Sequence, residues 1–399
     1  MEWKTEPLGD IAFMTSGGTP SSKISAYYEN GTIPWVRSGE LENGAIRDTE
    51  IKITQAGLDN SSAKIFPRGT LLIALYGATI GKLAYLDIDA CTNQAVCGIF
   101  ENDKVSLKYL YYFLLFHRPD LVKQGVGGAQ SNISQTILKK LMVYYPVDKT
   151  EQLRIVARIE ELFSELDNGV ETLRKTKQQL AVYRQAVMKS VFQGVAQNSA
   201  TVSLGELLFG IEGGKSFKCE ERPPQETEFG IVKVSAVTWG TYNEEESKTC
   251  QPCQFIESKR INVGDFLFSR ANTLELVGNC VVVETVNKNL MLSDKILRFH
   301  FKDGILPKYV MYYLRTREGK KQIQEFSTGN QESMRNIGQD RIKKITVPVC
   351  STEDQNKVIS EIETRLSVCD SIEKTVDTAL QQAEAMRQSI LKQAFEGKL

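Results

Sequence analysis

The sequence is poor in the residues and segments that mark several large protein classes. Two histidines occur in 399 residues, which leaves little imidazole for general acid–base catalysis. No apolar stretch approaches the roughly 20 residues that a membrane-spanning helix requires. The first residues, Met1 to Lys4, lack the basic-then-apolar layout of a secretion signal. We therefore expect a cytoplasmic protein.

The cysteines offer one ligand-like spacing, Cys250-Gln-Pro-Cys253. A structural zinc site needs four ligands, typically two such pairs or one pair with histidines. His117 and His300 show no relation to this pair in the sequence. Most other cysteines stand singly in apolar stretches and are typical of small buried side chains. We predict no metal site.

The charges balance overall. The chain has 49 lysines and arginines and 49 aspartates and glutamates, so its formal net charge is zero. A uniformly basic surface is therefore excluded. Any surface that binds nucleic acid must be a local patch, and its unaided affinity should be modest.

An internal duplication organises the chain. In the front part of each half, the offset between matching segments drifts between about 195 and 204 residues, whereas from Gln152 and Gln355 onward it stays at 203. The front parts have thus accepted insertions and deletions, and the later parts have kept their length. The matches are residues 8–11 with 204–207, 17–18 with 213–214, 66–72 with 261–267, 108–110 with 308–310, 138–141 with 342–345, and 184–194 with 387–397.

The two segments of fixed length show an apolar residue at every seventh position, which is typical of a coiled coil. Some 40 residues at about 1.5 Å each make a helix of about 60 Å. Because related halves are expected around a pseudo-twofold axis, we predict that the two helices pair antiparallel. An amphipathic helix packed on its own domain is the alternative. The predicted seam consists of Ile159, Leu162, Leu166, Leu173, Leu180, Val187, Ile362, Ile372, Val376, Met386 and Ile390.

The front parts are predicted to be mixed α/β domains. Residues 69–76 and 264–269 have the pattern of buried strands, and residues 107–116 and 307–315 that of helices. We predict an α+β protein with two mixed α/β domains separated by two long helices in an antiparallel coiled coil. The predicted boundaries are 1–150, 151–197 (central helix), 198–350 and 351–399 (final helix).

Loops at equivalent places in both halves combine glycine, small hydroxyls, amides and isolated cations. Such residues suit phosphate contacts, and Asn, Gln and Arg match base edges in the major groove. We expect Arg37, Gln94, Arg270 and Asn272 to include base-reading residues. The full candidate set is Ser16, Gly17, Gly18, Thr19, Ser21, Lys23, Trp35, Arg37, Ser38, Tyr76, Thr79, Lys82, Asn93, Gln94, Gln130, Ser131, Asn132, Gly214, Lys215, Ser216, Lys233, Ser235, Arg270, Asn272, Asp294, Lys295, Asn330 and Gln331.

Several of these segments resemble a known family. Residues 17–21 (Gly-Gly-Thr-Pro-Ser), 33–36 (Ile-Pro-Trp-Val), 71–82 and 92–95 are similar to a target-recognition domain of type I restriction-modification specificity subunits. Residues 268–273 resemble another variant of the same strand and loop, and residues 390–399 resemble the ending of these subunits. The resemblance covers nearly the whole chain and departs mainly at residues 231–234, where Ile-Val-Lys-Val replaces the Pro-Trp-Val pattern.

The resemblance implies a function and a set of partners. Each domain would read one half of a split target in double-stranded DNA, and the helices would set the gap between the halves. The helices would also dock two methyltransferase subunits, which carry S-adenosylmethionine. The assembly, in a prokaryotic cytoplasm, would recruit restriction and translocation subunits that use ATP and magnesium. No cofactor is expected in this chain.

Motifs for catalysis in the chain itself fail. Residues 210–216 approach a phosphate-binding loop, but Phe209 stands where that motif requires glycine. An adenine methyltransferase should carry Asn/Asp-Pro-Pro-aromatic, and Pro223-Pro224 follows Arg222 and precedes Gln225. We predict a non-catalytic subunit. Two alternatives stay open: a coiled-coil scaffold that binds protein partners through duplicated domains, and a self-sufficient restriction enzyme.

Overall fold

The computed structural model describes residues 2–124, 132–196, 199–331 and 334–399. Two compact units make up the chain. The first comprises Met1–Leu173 with Thr378–Leu399, and the second is Arg174–Asp377. Each unit therefore contains one globular domain and a part of both long helices.

The domain of the first unit is built from strands arranged in two main sheets. One sheet has the strand order β2-β10-β7-β8-β4 and the other has the order β5-β3-β9-β6, while β1 pairs with β11. The strands are β1 (Trp3–Pro7), β2 (Met14–Ser16), β3 (Ile33–Val36), β4 (Gly44–Ile46), β5 (Lys52–Ile53), β6 (Ile65–Phe66), β7 (Leu71–Ala74), β8 (Leu83–Leu86), β9 (Ala90–Thr92), β10 (Val96–Ile99) and β11 (Met142–Pro146). The helices are α1 (Leu8–Ile11), α2 (Gln55–Asp59), α3 (Leu107–Gln124) and α4 (Gln135–Lys139).

The continuous apolar run of β7 is explained by burial on both of its faces. Leu71 and Ile73 enter the core that α3 covers, whereas Leu72 and Ala74 enter a second core on the opposite side of the sheet. Alternation of side chains along a strand produces this division. The strand predicted at 69–76 is confirmed, and the predicted helix at 107–116 extends to Gln124 because Leu121 is also buried in the core.

The domain of the second unit repeats this plan with different lengths. Its sheets have the orders β13-β20-β16-β18, β15-β14-β19 and β17-β22-β21, and β12 pairs with β23. The strands are β12 (Ala200–Ser203), β13 (Leu208–Gly213), β14 (Phe229–Val232), β15 (Ser247–Cys250), β16 (Phe266–Ser269), β17 (Ala271–Asn272), β18 (Cys280–Val282), β19 (Asn289–Met291), β20 (Ile296–Phe301), β21 (Thr328–Gln331), β22 (Met334–Asn336) and β23 (Thr346–Val349).

The α-helices among the described residues of the second domain are α6 (Leu204–Leu207), α7 (Pro307–Arg315), α8 (Arg317–Phe326) and α9 (Gln339–Ile342). The strand predicted at 264–269 and the helix predicted at 307–315 are confirmed. Phe266 and Phe268 face the core beneath α7, and Leu267 faces a second core, as in the first domain.

Two long helices, α5 (Lys149–Ala196) and α10 (Thr352–Phe395), follow the two domains. Within the first unit, the beginning of α5 lies with the end of α10, and Phe395 packs edge-on against Tyr109 and Phe113. Within the second unit, the end of α5 lies with the beginning of α10, and Phe192 packs against Tyr309. The helices therefore pair antiparallel. The first turns of α5 also pack on the domain that precedes this helix, where Ile155 and Ile159 enter the core. The alternative prediction, an amphipathic helix packed on its own domain, is therefore confirmed in part.

The seam between the helices differs in phase from the predicted one. Ile372 and Met386, predicted in the seam, are 40% and 53% exposed. The buried companions of the heptad residues come four positions later rather than three, as at Phe163 and Ala394. Of the other predicted seam residues, Ile159, Leu180, Val187, Ile362 and Val376 are buried, and Leu162, Leu166, Leu173 and Ile390 are half-buried.

Charged residues occupy several of these companion positions. In the second unit, Arg184 contacts Asp370 at 2.6 Å and Glu373 at 2.9 Å, and Lys177 contacts Asp377 at 2.7 Å. In the first unit, Arg387 pairs with Asp167. Because Arg387 and Asp167 are the duplicates of Arg184 and Asp370, the ion pair between the helices is itself repeated.

Candidate nucleic-acid interface

In the first domain, the two glycines after β2 lie directly on the segment after β9. The Gly18 amide donates to the Thr92 carbonyl at 2.9 Å, and the Gly17 amide donates to the Val96 carbonyl at 3.3 Å. A Cβ atom added to Gly17 would lie 2.0 Å from the Thr92 carbonyl oxygen. Only glycine permits so close an approach of two backbones. The predicted segments 16–23 and 92–94 are thus brought together.

Trp35 supports this junction from inside and does not form part of its surface. Its side chain is 5% exposed, and its indole Nε1 donates to the Gly18 carbonyl at 3.0 Å. The placement differs from the predicted DNA contact because β3 runs between β5 and β9, so the ring packs in a core with Ile53 and Cys91.

Exposed polar side chains surround the junction. Thr19 and Gln94 are in hydrogen-bond contact, and Gln94 is exposed. The Ser16 hydroxyl accepts a 2.6 Å hydrogen bond from Gln135 Nε2. Ser21 and Lys23 are exposed on the loop that follows. This cluster presents hydroxyl, amide and ammonium groups on one loop pair.

Arg37 lies in an adjacent groove that is rich in carboxylates. Its guanidinium contacts Glu40 at 3.4 Å and also pairs with Glu50. Burial raises the pKa of Glu40, although hydrogen bonds from Arg37 oppose that rise. The groove is lined by Arg37, Ser38, Gly39, Glu40, Glu42, Gly44, Ala45, Ile46, Arg47, Asp48, Glu50 and Asn93. Such a surface disfavours phosphate, whereas carboxylates can accept hydrogen bonds from cytosine amino groups.

Asn93 links this groove to the glycine junction. Its backbone amide donates to the Val36 carbonyl at 2.9 Å. Its side-chain Oδ1 is buried and has no hydrogen-bond partner among the described residues, and the same holds for the Thr92 hydroxyl. Buried polar atoms without partners are rare in folded proteins, so these atoms are candidates for contact with a ligand or water.

The turn between β7 and β8 carries three further predicted residues. Tyr76 is half-buried against the core of the first unit, and its backbone forms a bridge to Asn132. The Lys82 amide donates to the Thr79 carbonyl at 2.9 Å, which closes the turn. Gln130 and Ser131 lie outside the described residues, so their predicted roles stay predictions.

In the second domain, an equivalent glycine junction follows β13. A Cβ atom on Gly214 would lie 2.2 Å from the Leu292 carbonyl oxygen. The Ser216 hydroxyl donates to Asp294 at 2.5 Å, and Lys295 pairs with the same carboxylate at 2.9 Å. Lys215 is exposed and lies 5.2 Å from the centre of the Phe217 ring. Segments 213–216 and 293–295 thus meet as segments 17–19 and 92–94 do.

A second polar cluster of this domain surrounds β17. Arg270 Nε donates to Asn336 Oδ1 at 3.3 Å, and β17 pairs with β22. Asn272 Oδ1 accepts from the Thr273 amide at 2.9 Å. Gln331 lies at the end of β21, in the same sheet. The side chain of Asn330 lies outside the part of the chain that the structure describes. The sequence did not predict Asn336 as a member of this cluster. The structure identifies it by its contact with Arg270 and by the pairing of β22 with β17.

Lys233 and Ser235 bind carboxylates of their own domain. Lys233 lies 3.9 Å from Glu221, and the Ser235 hydroxyl donates to Glu246 at 2.6 Å. Both residues follow β14, where the sequence departs from the Pro-Trp-Val pattern of the first domain. Contact with DNA at this place would require these carboxylates to be displaced or to take part.

Comparison with known proteins decides the family. Residues 1–180 and 197–382 each match the family described as the type I restriction modification DNA specificity domain. The chain belongs to this family. The two matches divide the chain as the duplication does, with one match to each half.

Named members of the family align with the whole chain. The specificity subunit of the type I restriction enzyme EcoKI from Escherichia coli K12 is 24% identical over 424 residues, which span 100% of this chain and 89% of the relative. The StySPI specificity subunit from Salmonella potsdam is 22% identical over 421 residues, with the same coverage. The EcoEI specificity subunit from Escherichia coli is 33% identical over 181 residues, or 45% of this chain and 30% of the relative.

Solved structures share the fold. A chain from a study of complex assembly and conformational transition of a type I restriction-modification system has a TM-score of 0.76 at 17% identity, with 100% of this chain and 98% of that chain covered. The HsdS subunit from Thermoanaerobacter tengcongensis has a TM-score of 0.53 at 17% identity, with 100% and 97% covered. In the described part of the chain, no helix is both long and apolar enough to cross a membrane.

Proposed function

We propose that this chain is the DNA-specificity subunit of a type I restriction-modification complex, in which each domain reads one half of a bipartite target. The observation that carries the proposal is the doubled family match on two domains with equivalent glycine junctions. Two diverged copies of one reading domain suit two different half-sites. Two helices of fixed length suit a fixed distance between those half-sites.

The same proposal assigns the remaining tasks. The helices α5 and α10 set the gap and dock two methyltransferase subunits, which bring S-adenosylmethionine. Restriction and translocation subunits bring ATP and magnesium. The working division is 1–150 and 198–350 for recognition and 151–197 and 351–399 for the helical spacers. The chain itself recognises DNA, and its partners carry out the chemistry.

Methylation mapping tests the proposal directly. The chain is combined with its methyltransferase subunit, and adenine methylation of genomic DNA is mapped with and without it. We expect methylation at one split motif, which disappears when the chain is omitted. Methylation that is indifferent to the chain would instead support a scaffold for protein partners. Methyl transfer by the isolated chain would support a self-sufficient enzyme.

The assignment of base-reading residues has its own test. Arg37, Gln94, Arg270 and Asn272 are changed to alanine singly and together, and the methylated motif is determined again. Each base contact should contribute about 1–3 kcal/mol of discrimination, so its loss should relax the motif at one position. An unchanged motif in the fourfold variant would refute the assignment. Lys302→Ala, at an exposed lysine of the second domain, is the control.

A further inference from the structure

A groove of the second unit is lined by cations. It lies between α8 and residues 237–240, with α7 contributing Arg315 at its end and α5 contributing Gln185 and Met188. The polar groups that matter here are Asn279, Arg315, Arg317, Lys320, Lys321 and Gln324. In the described part of the chain, no aspartate or glutamate lines this groove.

Two of the positive charges in the groove, those of Arg315 and Lys320, are held by neutral groups. Arg315 donates to the carbonyl oxygens of Gly240 and Cys280, both at 2.7 Å. Lys320 donates to the Val277 carbonyl at 3.2 Å and also to Asn279 Oδ1. Among the described residues, neither cation forms an ion pair with a carboxylate. Hydrogen bonds to carbonyl groups fix the cations in place and leave their charge uncompensated.

Burial lowers the pKa of Lys320, and the nearby Arg315 charge contributes to the lowering. An anion in the groove would reverse this effect because it favours the charged form of lysine. Arg317 is exposed and has no carboxylate partner among the described residues, and Lys321 lies 3.8 Å from Glu325. The groove therefore has the charge pattern of an anion site.

Two other grooves in the described part of the chain lack this excess of positive charge. Arg37 and Arg47 share the first-domain groove with four acidic residues. A neighbouring groove of the second unit shares Arg315 with this one. There, Lys308 lies 2.8 Å from Glu284 and 2.9 Å from Glu363. In a chain with equal numbers of acidic and basic residues, a groove lined by four cations and, among the described residues, by no acidic residue is a local departure from the balance.

The groove is joined mechanically to the predicted reading segment. Lys320 holds the Val277 carbonyl, and Gln324 Nε2 donates to the Leu274 carbonyl at 3.3 Å. Both contacts fix the turn that directly follows Asn272. Helix α8 begins at Arg317 and is capped by Thr316, whose hydroxyl accepts from the Gly319 amide at 3.1 Å. The positive end of this helix dipole adds to the charge of the groove.

We propose that this groove binds a backbone phosphate of the DNA beside the half-site that the second domain reads. The inference rests on the proposed function and adds a contact outside the predicted base-reading loops. Phosphate contacts fix the register of a protein on the duplex and carry no sequence information themselves. A phosphate held by α8 would position the segment of Arg270 and Asn272 through the turn that α8 supports.

An acidic segment of a partner protein could also satisfy four cations. DNA is favoured because Lys320 and Gln324, which line the groove, also hold the turn that follows Asn272. Arginine, lysine and amide side chains together are the usual donors to phosphate oxygens in protein–DNA complexes.

The test uses Arg317→Ala, Lys321→Ala and the double variant in complex with the methyltransferase subunit. Both side chains are exposed and hold no other part of the fold, so the variants should fold normally. Dissociation constants for a target duplex are measured from low to high salt. We expect the double variant to bind about tenfold more weakly at low salt, and the slope of log affinity against log salt to fall by about one per lost phosphate contact.

Three comparisons give each outcome a meaning. The methylated motif should stay unchanged, and Lys302→Ala should show the slope of the unmodified complex. An unchanged slope in the double variant would overturn the inference. Weaker assembly with the methyltransferase subunit at an unchanged DNA slope would also overturn it, in favour of an acidic protein partner. Absence of motif-specific binding by the unmodified complex would refute the proposed function instead.

Discussion

At the scale of single residues, glycine allows two backbones to meet in each domain. Gly17 meets the Thr92 carbonyl in the first domain, and Gly214 meets the Leu292 carbonyl in the second. The loops that the glycines join carry most of the exposed polar groups predicted to contact DNA. The shape of each predicted reading surface therefore depends on one position without a side chain.

Alanine at either glycine should damage the reading of one half-site. A methyl group at position 17 or 214 would overlap a carbonyl oxygen, and relief of such overpacking typically costs about 1–3 kcal/mol. We expect Gly17→Ala and Gly214→Ala each to lower DNA affinity about tenfold or more, at about 1.4 kcal/mol per factor of ten. The measurement is binding to duplexes in which one half-site or the other is scrambled.

The two variants should affect different halves. Scrambling the half-site that the altered domain reads should lower the DNA affinity of each variant less than it lowers the affinity of the unmodified protein. Gly210→Ala serves as the control because no atom lies within 4 Å of a Cβ at that position. If both variants lost discrimination at the same half-site, the assignment of one domain to each half would be wrong.

A partly buried ion network in the second domain should make stability depend on pH. Glu212 receives hydrogen bonds from Lys259 at 2.9 Å and from Arg298 at 2.6 Å, and Arg298 also binds Asp265. Burial raises the pKa of Glu212, but hydrogen bonds from Lys259, Arg298 and His300 and the charge of Arg298 outweigh burial and lower the pKa to about 2. The folded state therefore binds this proton less readily than the unfolded state.

The sign follows from that difference. The contribution of Glu212 to stability is fully present above its unfolded pKa near 4.5 and is lost as the pH falls toward 2. Glu212→Gln should thus unfold more easily in urea at pH 7 and lose less stability than the unmodified protein between pH 5 and pH 3. Equal losses in both proteins would contradict the assignment. Glu226→Gln, at an exposed position, is the control.

For single residues, the sequence predicted which residue types and which segments form the candidate site. It did not predict the contacts that these side chains make within the protein. Trp35 carries a polar atom in a segment that matches the family, but its burial follows from the position of β3 between two other strands. Arg37 is a predicted base-reading residue, and its pairing with Glu50 depends on a fold that joins positions 13 residues apart. Such contacts between segments leave no trace in local composition.

At the scale of elements, the long helices show how far periodicity can be trusted. The seven-residue series from Ile159 and Ile362 is buried along much of both helices. The apolar residues Leu162, Ile372 and Met386 predict that the second series of seam residues lies three positions after the first. The structure buries the series four positions later, where Arg184 and Arg387 form ion pairs between the helices. Because some of those positions are charged, the apolar pattern alone does not predict the observed phase of the seam.

A matched pair of isoleucines on α10 tests this phase. Ile362 is fully buried in the second unit, whereas Ile372 is 40% exposed. Truncation of a buried isoleucine to alanine typically costs about 2–5 kcal/mol. We expect Ile362→Ala to lower the free energy of unfolding by such an amount and Ile372→Ala to change it by about 0.5 kcal/mol or less. Denaturation in urea measures both changes in the free energy of unfolding. Similar decreases for the two variants would support the seam that the sequence predicts.

At the scale of the whole molecule, each domain is closed by the helix that follows the other one. Phe192 of α5 packs on Tyr309 in the second unit, and Phe395 of α10 packs on Tyr109 in the first. Equivalent glutamines lie in the first turns of the helices: Gln152 and Gln355 are buried, and each bonds three backbone groups of its own domain. Both ends of both helices are therefore anchored in a domain.

A spacer anchored at both ends should convert a change of length into a change of gap. Insertion of seven residues between Leu173 and Arg174, and of seven more between Asp377 and Thr378, keeps the seven-residue phase of each helix. The addition is about 10 Å at 1.5 Å per residue, or about three base pairs of DNA. We expect methylation of the original target to be lost and to recover, within a set of targets of varied gap, only at longer gaps.

Insertion in one helix alone is the control, because it removes the match between the two seams and should lower the melting temperature. The double insertion should melt near the unmodified protein, since its heptads can pair with each other. Loss of methylation in a variant that folds normally would then be due to geometry. Methylation of the original gap at the unmodified rate would show that the helices do not set the distance, and the gap would have to be fixed by the methyltransferase subunits instead.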